Sequence, residues 1–350
     1  MKIISLTDEY NEKWNHYIQA NKKAIVFHTL EWKNIVQKVY KFKPYYFLAI
    51  ENGKTKGILC SFLTKGLFGK KIVSTPFNFY NPPLFDDEET GKELIDHIIN
   101  VGKKENVRYV ELKALEKFNP ELISQLNIQE NEHHFISNLK LESNPEKNYY
   151  PRLKKNLRTL KRNAEKEKVI LREFRDESEL KQFYDILVKL YRNKHNMIPQ
   201  PYALFHEMYK TFGENFKLLV AVHKSKIIAG MVLLFFKKQA VYAYGASDQD
   251  YVRFSPGTLL IDEAIRKTSK MGYAELDFGL TSPFQKNLLD YKSNWGAKSL
   301  KLPYYYALIR SNQIPELDFS TAYKPLRKYF KYVPLPVVKL ISPIVTKKLA

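Results

Sequence analysis

Two charged residues in the last third of the chain stand where chemistry could gather. Asp277 belongs to Asp277-Phe278-Gly279, which closes a strand-like run from Tyr273. Lys292 lies in Tyr291-Lys292-Ser293-Asn294-Trp295-Gly296-Ala297, just after the loop LTSPFQKN. In an α/β sheet, ligands collect beyond strand ends. A carboxylate there can accept a proton, and an ammonium can stabilise developing negative charge. Tyr244 and Asp248 close another strand-like run, VYAYGASD, and add a hydroxyl and a second carboxylate. Trp295 reads as a core residue beside them.

A second group is cationic. After Pro151 the chain reads RLKKNLRTLKRNAEKEK, with Leu153, Leu157, Leu160 and Ala164 as a narrow apolar stripe at helical spacing. Lys154, Arg158 and Lys161 project from one flank of it. Between Arg152 and Lys168 eight basic residues face two acidic ones. Arginine grips phosphate with two parallel hydrogen bonds, so this helix is a candidate phosphate site. The competing reading is a solvated charged helix, in which Arg158 and Arg162 would repel. Gly257, after Pro256, opens another expected helix, whose N-terminus can receive an anion.

Other chemistries are excluded by what is missing. The sequence has no GxGxxG, no GxxxxGK[ST] and no HExxH, and no Ser or Cys nucleophile elbow. The DFG string lacks the Gly-rich loop and HRD-like segment of a kinase. His133-His134 beside Glu132 has no third ligand at metal spacing, so no metal is expected. The single cysteine, Cys60, rules out an intramolecular disulfide and a Cys-rich zinc site.

The elements that must position these groups come in two similar sets. GKELIDHII (Gly91–Ile99) matches GTLLIDEAI (Gly257–Ile265) in register, and Tyr109-Val110-Glu111-Leu112 matches Tyr273-Ala274-Glu275-Leu276. Upstream, Ala49-Ile50 pairs with Ala221-Val222, each leading through a lysine to a glycine, Gly57 or Gly230. Both sets read as hairpin, helix and strand. Such shared order argues for an internal duplication. The fold expected is α/β (α+β) with mixed rather than doubly wound sheets.

The ordered set of motifs resembles the FemABX-like, GNAT-fold acyltransferase family. It comprises HTLEW (His28–Trp32), the basic helix Lys154–Lys166, SPGTLLIDEAI before the ELDFG strand end, YKSNWGA, and a basic Pro-containing tail. The resemblance covers most of the chain, and the DFG and YK-x-x-W-G-A pair carries most of its weight. It implies two tandem GNAT-like acetyltransferase domains, 1–145 and 149–310, joined by the polar stretch LESNPEKN, with a tail over 311–350. The activity it implies is acyl transfer to an amine, from aminoacyl-tRNA or acyl-CoA, with no permanently bound cofactor. The acceptor it implies is a small-molecule or lipid-linked phosphorylated compound, such as a cell-envelope precursor. The long helical arm of some tRNA-using members is absent. So is the glycine-rich pyrophosphate loop of acetyl-CoA users: the matching stretch is Arg253-Phe254-Ser255-Pro256-Gly257-Thr258.

Acyl transfer needs an oriented, deprotonated amine, a donor for the oxyanion and a proton or positive charge for the leaving group. On this reading Lys292 stabilises the oxyanion or the leaving group. Tyr244 and Asp248 orient the amine, and Asp277 accepts its proton. Lys154, Arg158, Lys161, Tyr291 and Gly257 hold phosphate. An acetyl-CoA-dependent N-acetyltransferase of small molecules and a non-enzymatic RNA-binding module are the alternatives.

Charge and patterning set the surroundings. The formal net charge is +20, which attracts polyanions such as tRNA, nucleic acid generally, or anionic lipid. The run from Thr321 to the end has seven basic residues and no acidic one, with apolar residues interleaved. That composition suits docking on an anionic membrane surface, or packing back on the second domain. The first apolar run is cut by Thr7, Asp8 and Glu9, too short for a signal peptide. The longest, Ile227–Phe236, is a buried strand rather than a membrane span. A cytoplasmic, membrane-associated protein is expected.

Overall fold

The computed structural model describes residues 1–67, 69–77, 79–144, 154–315 and 329–349. The stretch LESNPEKN is therefore described only in part, and Tyr323, Lys324, Leu326, Arg327 and Lys328 of the tail lie outside the described residues. In chain order the first part contains β1 (Lys2–Ser5), α1 (Asn11–Ala20), α2 (Leu30–Tyr40), β2 (Lys43–Glu51), β3 (Lys54–Gly66), β4 (Gly69–Val73), β5 (Leu84–Phe85), α3 (Glu88–Glu105), β6 (Tyr109–Lys113), α4 (Pro120–Gln125) and β7 (Gln129–Lys140). There follow α5 (Lys154–Lys166), β8 (Ile170–Glu173), α6 (Glu177–Leu190), α7 (Tyr202–Phe212), β9 (Phe216–His223), β10 (Lys226–Phe236), β11 (Gln239–Ser247), α8 (Pro256–Lys270), β12 (Glu275–Thr281), α9 (Lys286–Asn294), β13 (Lys298–Leu308) and α10 (Leu335–Leu349).

Two compact units result. One comprises Met1–Phe135, Lys301–Leu317 and Lys347–Ala350; the other comprises Ile136–Leu300 and Asp318–Thr346. These are not the contiguous segments expected from the polar stretch at 141–148. The chain changes unit inside β7 and again inside β13. In the first unit, Tyr304–Leu308 of β13 pairs antiparallel with β6. In the second, Leu141 just after β7 donates its N–H to the carbonyl of Ala274. Each unit thus receives the closing strand segment of the other repeat. Nothing in a strand's period-2 pattern marks such an exchange, because it changes the neighbour and not the polarity.

Within each unit the same order recurs. In the first, β2, β3 and β4 form an antiparallel meander, α3 follows, and β6 returns parallel to β4. In the second, β9, β10 and β11 form the meander, α8 follows, and β12 returns parallel to β11. The duplication inferred from sequence is therefore present in strand order and direction. Each helix covers one core: Leu94, Ile95 and Ile98 with Leu59 and Val110 in the first unit, and Leu260, Ile261 and Ala264 with Ala229 and Leu276 in the second.

The two glycines used to align the repeats are not equivalent. Gly57 faces Ala49, whereas it is Ala229 that faces Ala221. A Cβ on Gly57 would meet Leu94 and Thr90 of α3 at 2.9 Å, while one on Gly230 would meet Phe183 of α6 at 2.4 Å. One residue of offset moves a side chain to the opposite face of a strand.

Candidate active site

The parallel pair in the second unit is short. Gln239, Ala240 and Val241 of β11 face Glu275, Leu276 and Asp277 of β12, and the ladder between them stops there. β11 continues to Ser247, and it carries an extra residue, Ala243, where Val232 pairs with Tyr244 and Leu233 with Tyr242. A bulge bends its strand. Beyond Val241 and Asp277 the two strands share no ladder pairs, and parallel strands that part leave a crevice between their ends.

At the β12 end, Gly279 adopts φ +71°, which a glycine tolerates without strain. Its N–H donates to Asp277 Oδ1 at 2.6 Å. The carbonyl oxygens of Phe278 and Gly279 then converge on one cation, since Lys292 Nζ donates to them at 2.8 and 2.9 Å and to Thr281 Oγ1 at 2.7 Å. Consecutive carbonyls of a regular strand point to opposite sides, so the turn at Gly279 is what lets one ammonium take both. Lys292 replaces the missing strand partner. Burial pushes its pKa down to about 8, against the opposing pull of Asp277. It is anchored with all three N–H groups used, not a mobile ammonium; Asp277, fully buried, closes the turn.

Beside the predicted Gly257 and Tyr291 stand three residues whose roles the sequence did not single out: Tyr242, Ser247 and Thr258. Tyr242 of β11 lies so close to Gly245 that a Cβ there would meet its hydroxyl at 2.0 Å. Ser247 sits 3.2 Å from where a Cβ of Gly257 would be. Thr258 Oγ1 and Tyr291 Oη share a hydrogen bond of 3.2 Å. Thus the first turn of α8, with Gly257 and Thr258, is held against the end of β11, and Tyr291 closes over it. Ser255 precedes that helix at φ +48° and makes no side-chain cap. Pro256 has no N–H, so the N–H groups of Gly257 and Thr258 open the helix without a cap from the Ser255 side chain. Burial raises the pKa of Tyr242, Tyr244 and Tyr191, with Tyr191 acting on both of the others. Tyr191 opens a π-helical turn, Tyr191–His195, at the end of α6.

The remaining predicted residues are partly elsewhere. Tyr244 packs edge-on against Phe205, centroids 4.8 Å apart. Asp248 stands seven residues past Val241, roughly 20 Å along the strand at about 3.3 Å per residue. It is buried, caps the turn Gln249–Phe254, and pairs with Lys226 at 3.2 Å and Lys189 at 4.0 Å. The structure therefore does not bring Asp248 to Asp277 and Lys292. Lys161 is engaged as well: it forms an ion pair with Asp262, which is 1% exposed and also accepts from Arg266 at 3.0 Å. A lysine compensating a buried carboxylate is not available to a phosphate, which corrects its assignment. The repeat equivalent, Asp96, is exposed. Arg158 is exposed one turn before Lys161, and Leu157 beside it packs with Phe254, Leu260 and Ile261. The side chain of Lys154 lies outside those described.

The first unit spends the same geometry differently. Ile72 and Val73 of β4 face Val110 and Glu111 of β6. Beyond them the chain's own residues fill the space. Lys113, the repeat equivalent of Asp277, donates to the carbonyls of Thr75, Phe77 and Phe79 at 3.1, 3.0 and 2.8 Å. Phe79 packs tilted against Phe27 and edge-on to Trp32 of HTLEW, and His28 Nε2 lies 2.8 Å from the Pro82 carbonyl. That motif is a clamp on the segment, not a site. Among the described residues no cluster could hold a metal ion.

This arrangement agrees with what the chain resembles. Residues 151–293 match the family described as an acetyltransferase (GNAT) domain. The likeness to the GNAT type is thus a property of that stretch, and the FemABX-like build expected from the motifs agrees in fold with the solved structures that follow. The crystal structure of FemX superposes with a TM-score of 0.67 at 11% identity, over 93% of this chain and 100% of that one. The C-terminal domain of a putative lysylphosphatidylglycerol synthetase from Agrobacterium fabrum gives 0.57 at 13% identity, over 92% and 96%. A tandem GNAT protein from the clavulanic acid biosynthesis pathway gives 0.56 at 9% identity, over 90% and 99%. No curated protein sequence matches the chain.

Proposed function

We propose that the second unit moves an acyl group from a carrier ending in a phosphorylated adenosine, an acyl-CoA or an aminoacyl-tRNA, to the amine of a phosphorylated acceptor. The acceptor class is a small molecule or a lipid-linked precursor of the cell envelope. What supports this reading is that the β11–β12 ladder ends at Val241 and Asp277, while the first turn of α8, without a side-chain cap from Ser255, sits against the end of β11. Gly257 and Thr258 offer two N–H groups at a helix N-terminus, where a phosphate is favoured. Arg158 adds a bidentate partner from the neighbouring helix. Tyr291 orients Thr258 for the same anion.

In the transfer the amine nitrogen bonds to the acyl carbon, the carbon–oxygen or carbon–sulfur bond breaks, and the leaving atom takes a proton. Tyr242 supplies it from a hydroxyl that is protonated at neutral pH, its pKa raised further by burial, and takes a proton back from water afterwards. Lys292 and Asp277 hold the β12 end open and leave that strand edge fixed. The amine sheds its proton to water entering the open mouth.

The test pairs binding with turnover. The purified chain is warmed with coenzyme A, with uncharged tRNA and with neither, and acyl-CoA and aminoacyl-tRNA are then assayed with amine acceptors by mass spectrometry. The proposal expects one carrier to raise the melting temperature and its acylated form to be consumed. Salt-sensitive tRNA binding without transfer would instead support a nucleic-acid-binding module. No shift and no transfer with either carrier would overturn both.

A further inference from the structure

The helix α10 is patterned inside out. Val338, Ser342 and Thr346, four apart, are the residues it buries, and two of the three are polar. Three of its apolar side chains face outward, with Val337 41% exposed, Leu340 76% and Ile344 61%, while Leu335, Ile341, Val345 and Leu349 are half-buried. Positions 337, 340 and 344 lie on one face of a helix. Just before it, Tyr332 is 72% exposed. A helix that only packed would bury leucine and isoleucine and expose serine and threonine. Around this apolar stripe Lys331, Lys347 and Lys348 are exposed, and no carboxylate occurs between Tyr329 and Leu349. The helix itself is held in place: Arg192 donates to the Val333 carbonyl at 3.0 Å, and Lys339 pairs with Asp185.

From this geometry we infer that the outer face of α10 docks on an anionic lipid surface. Leu340, Ile344, Val337 and Tyr332 enter the headgroup boundary while the lysines meet lipid phosphates. An apolar face rimmed by lysine is what an interfacial helix requires. The described helix, fifteen residues long, extends about 22 Å against a hydrocarbon core of about 30 Å. Among the described residues no helix is long and apolar enough to cross a membrane. A second copy of the chain is disfavoured as the occupant, because it would bring two lysine rims together. The inference does not depend on the acyl-transfer reading.

The experiment sediments the full chain with vesicles of phosphatidylcholine alone and of phosphatidylcholine with an equal amount of phosphatidylglycerol. The variants are Leu340→Glu with Ile344→Glu, and Lys347→Ala with Lys348→Ala. All four side chains are solvent-facing, and a melting curve for each variant checks that it folds. The expected result is binding to the anionic vesicles only. The apolar double variant should weaken it at least about tenfold. The lysine double variant should weaken it by about tenfold or more at low salt and flatten its salt dependence. Binding no better than to phosphatidylcholine, or binding unchanged by Leu340→Glu with Ile344→Glu, overturns the inference. So does a wild-type dimer that ignores vesicles and that this variant converts to monomer.

Discussion

Lys292 Nζ lies 2.9 Å from the carbonyl oxygen of Gly279, a residue whose φ of +71° turns that oxygen to the same side as its neighbour's. A strand end without a partner would leave buried carbonyls unpaired, at about 1–3 kcal/mol each. A lysine from the next helix supplies the donors instead. The first unit solves its own version with Lys113, which takes three carbonyls of the segment after β4. Both units tie off a strand end by the same device, a buried lysine shared among backbone carbonyls.

These two lysines give a pH signature. Burial lowers each to about 8 from 10.5. Below pH 8 both folded and unfolded chains carry the protons. Between about 8 and 10.5 the unfolded chain binds more protons than the folded one, so stability rises with pH through that window. Buried tyrosines such as Tyr242 act oppositely near pH 10, where the unfolded chain loses their protons first. Denaturation midpoints should therefore climb from pH 7.5 to about 9.5, and Lys113→Met or Lys292→Met should flatten the climb. A midpoint that falls across this range in the wild type would contradict the assignment.

Gly279→Ala should destabilise the second unit by about 1 kcal/mol or more, through backbone strain alone. The added Cβ would meet nothing closer than the Tyr242 carbonyl at 3.6 Å, an ordinary contact. Gly279→Asn should cost less, because asparagine visits the left-handed region more readily. Urea titration of the three proteins would show it; equal losses for alanine and asparagine would argue against strain as the cause.

Arg158→Ala should weaken binding of the phosphorylated carrier by about tenfold, the lower end for a charge-assisted pair, because the side chain is exposed and screened. Lys161→Ala should act differently, removing a partner of buried Asp262 and lowering stability rather than affinity. Calorimetric titration with each carrier separates the two. If Lys161→Ala costs affinity at unchanged melting temperature, the division between the two residues is mistaken.

Much of this was legible in the sequence, for identifiable reasons. Leu94, Ile95 and Ile98 and their partners Leu260, Ile261 and Ala264 repeat at helical spacing, so both copies of the helix and the strand after it could be read. The strand end at Asp277 and the residue Lys292 were also found, because DFG followed by YKSNWGA is a compact signal. Their roles were not legible. Whether an ammonium is free or held by backbone carbonyls depends on Phe278, Gly279 and Thr281 converging, and no periodicity reports that. Lys161 looked like Arg158 on the helical flank, and only the burial of Asp262 separates them. Tyr242 stayed hidden because the bulge at Ala243 breaks the alternation by which strand faces are assigned.

Tyr242→Phe is the decisive substitution for the chemistry. The phenyl ring keeps the volume that packs near Phe278 and Gly245, so the fold should lose little. What goes is one hydroxyl, buried and protonated at neutral pH. If that hydroxyl protonates the leaving oxygen or sulfur, turnover should fall by about 10²–10⁴, while the affinity for the carrier stays nearly unchanged. Tyr244→Phe serves as the control, since its ring packs against Phe205 and its loss should be smaller. A thiol leaving group needs the proton less than an alkoxide, being the weaker base. The variant should therefore be more impaired with aminoacyl-tRNA than with acyl-CoA, if both are accepted. Turnover by Tyr242→Phe equal to wild type with either donor would remove Tyr242 from the proton path. A loss shared equally by Tyr242→Phe and Tyr244→Phe would point to a packing effect on β11 instead.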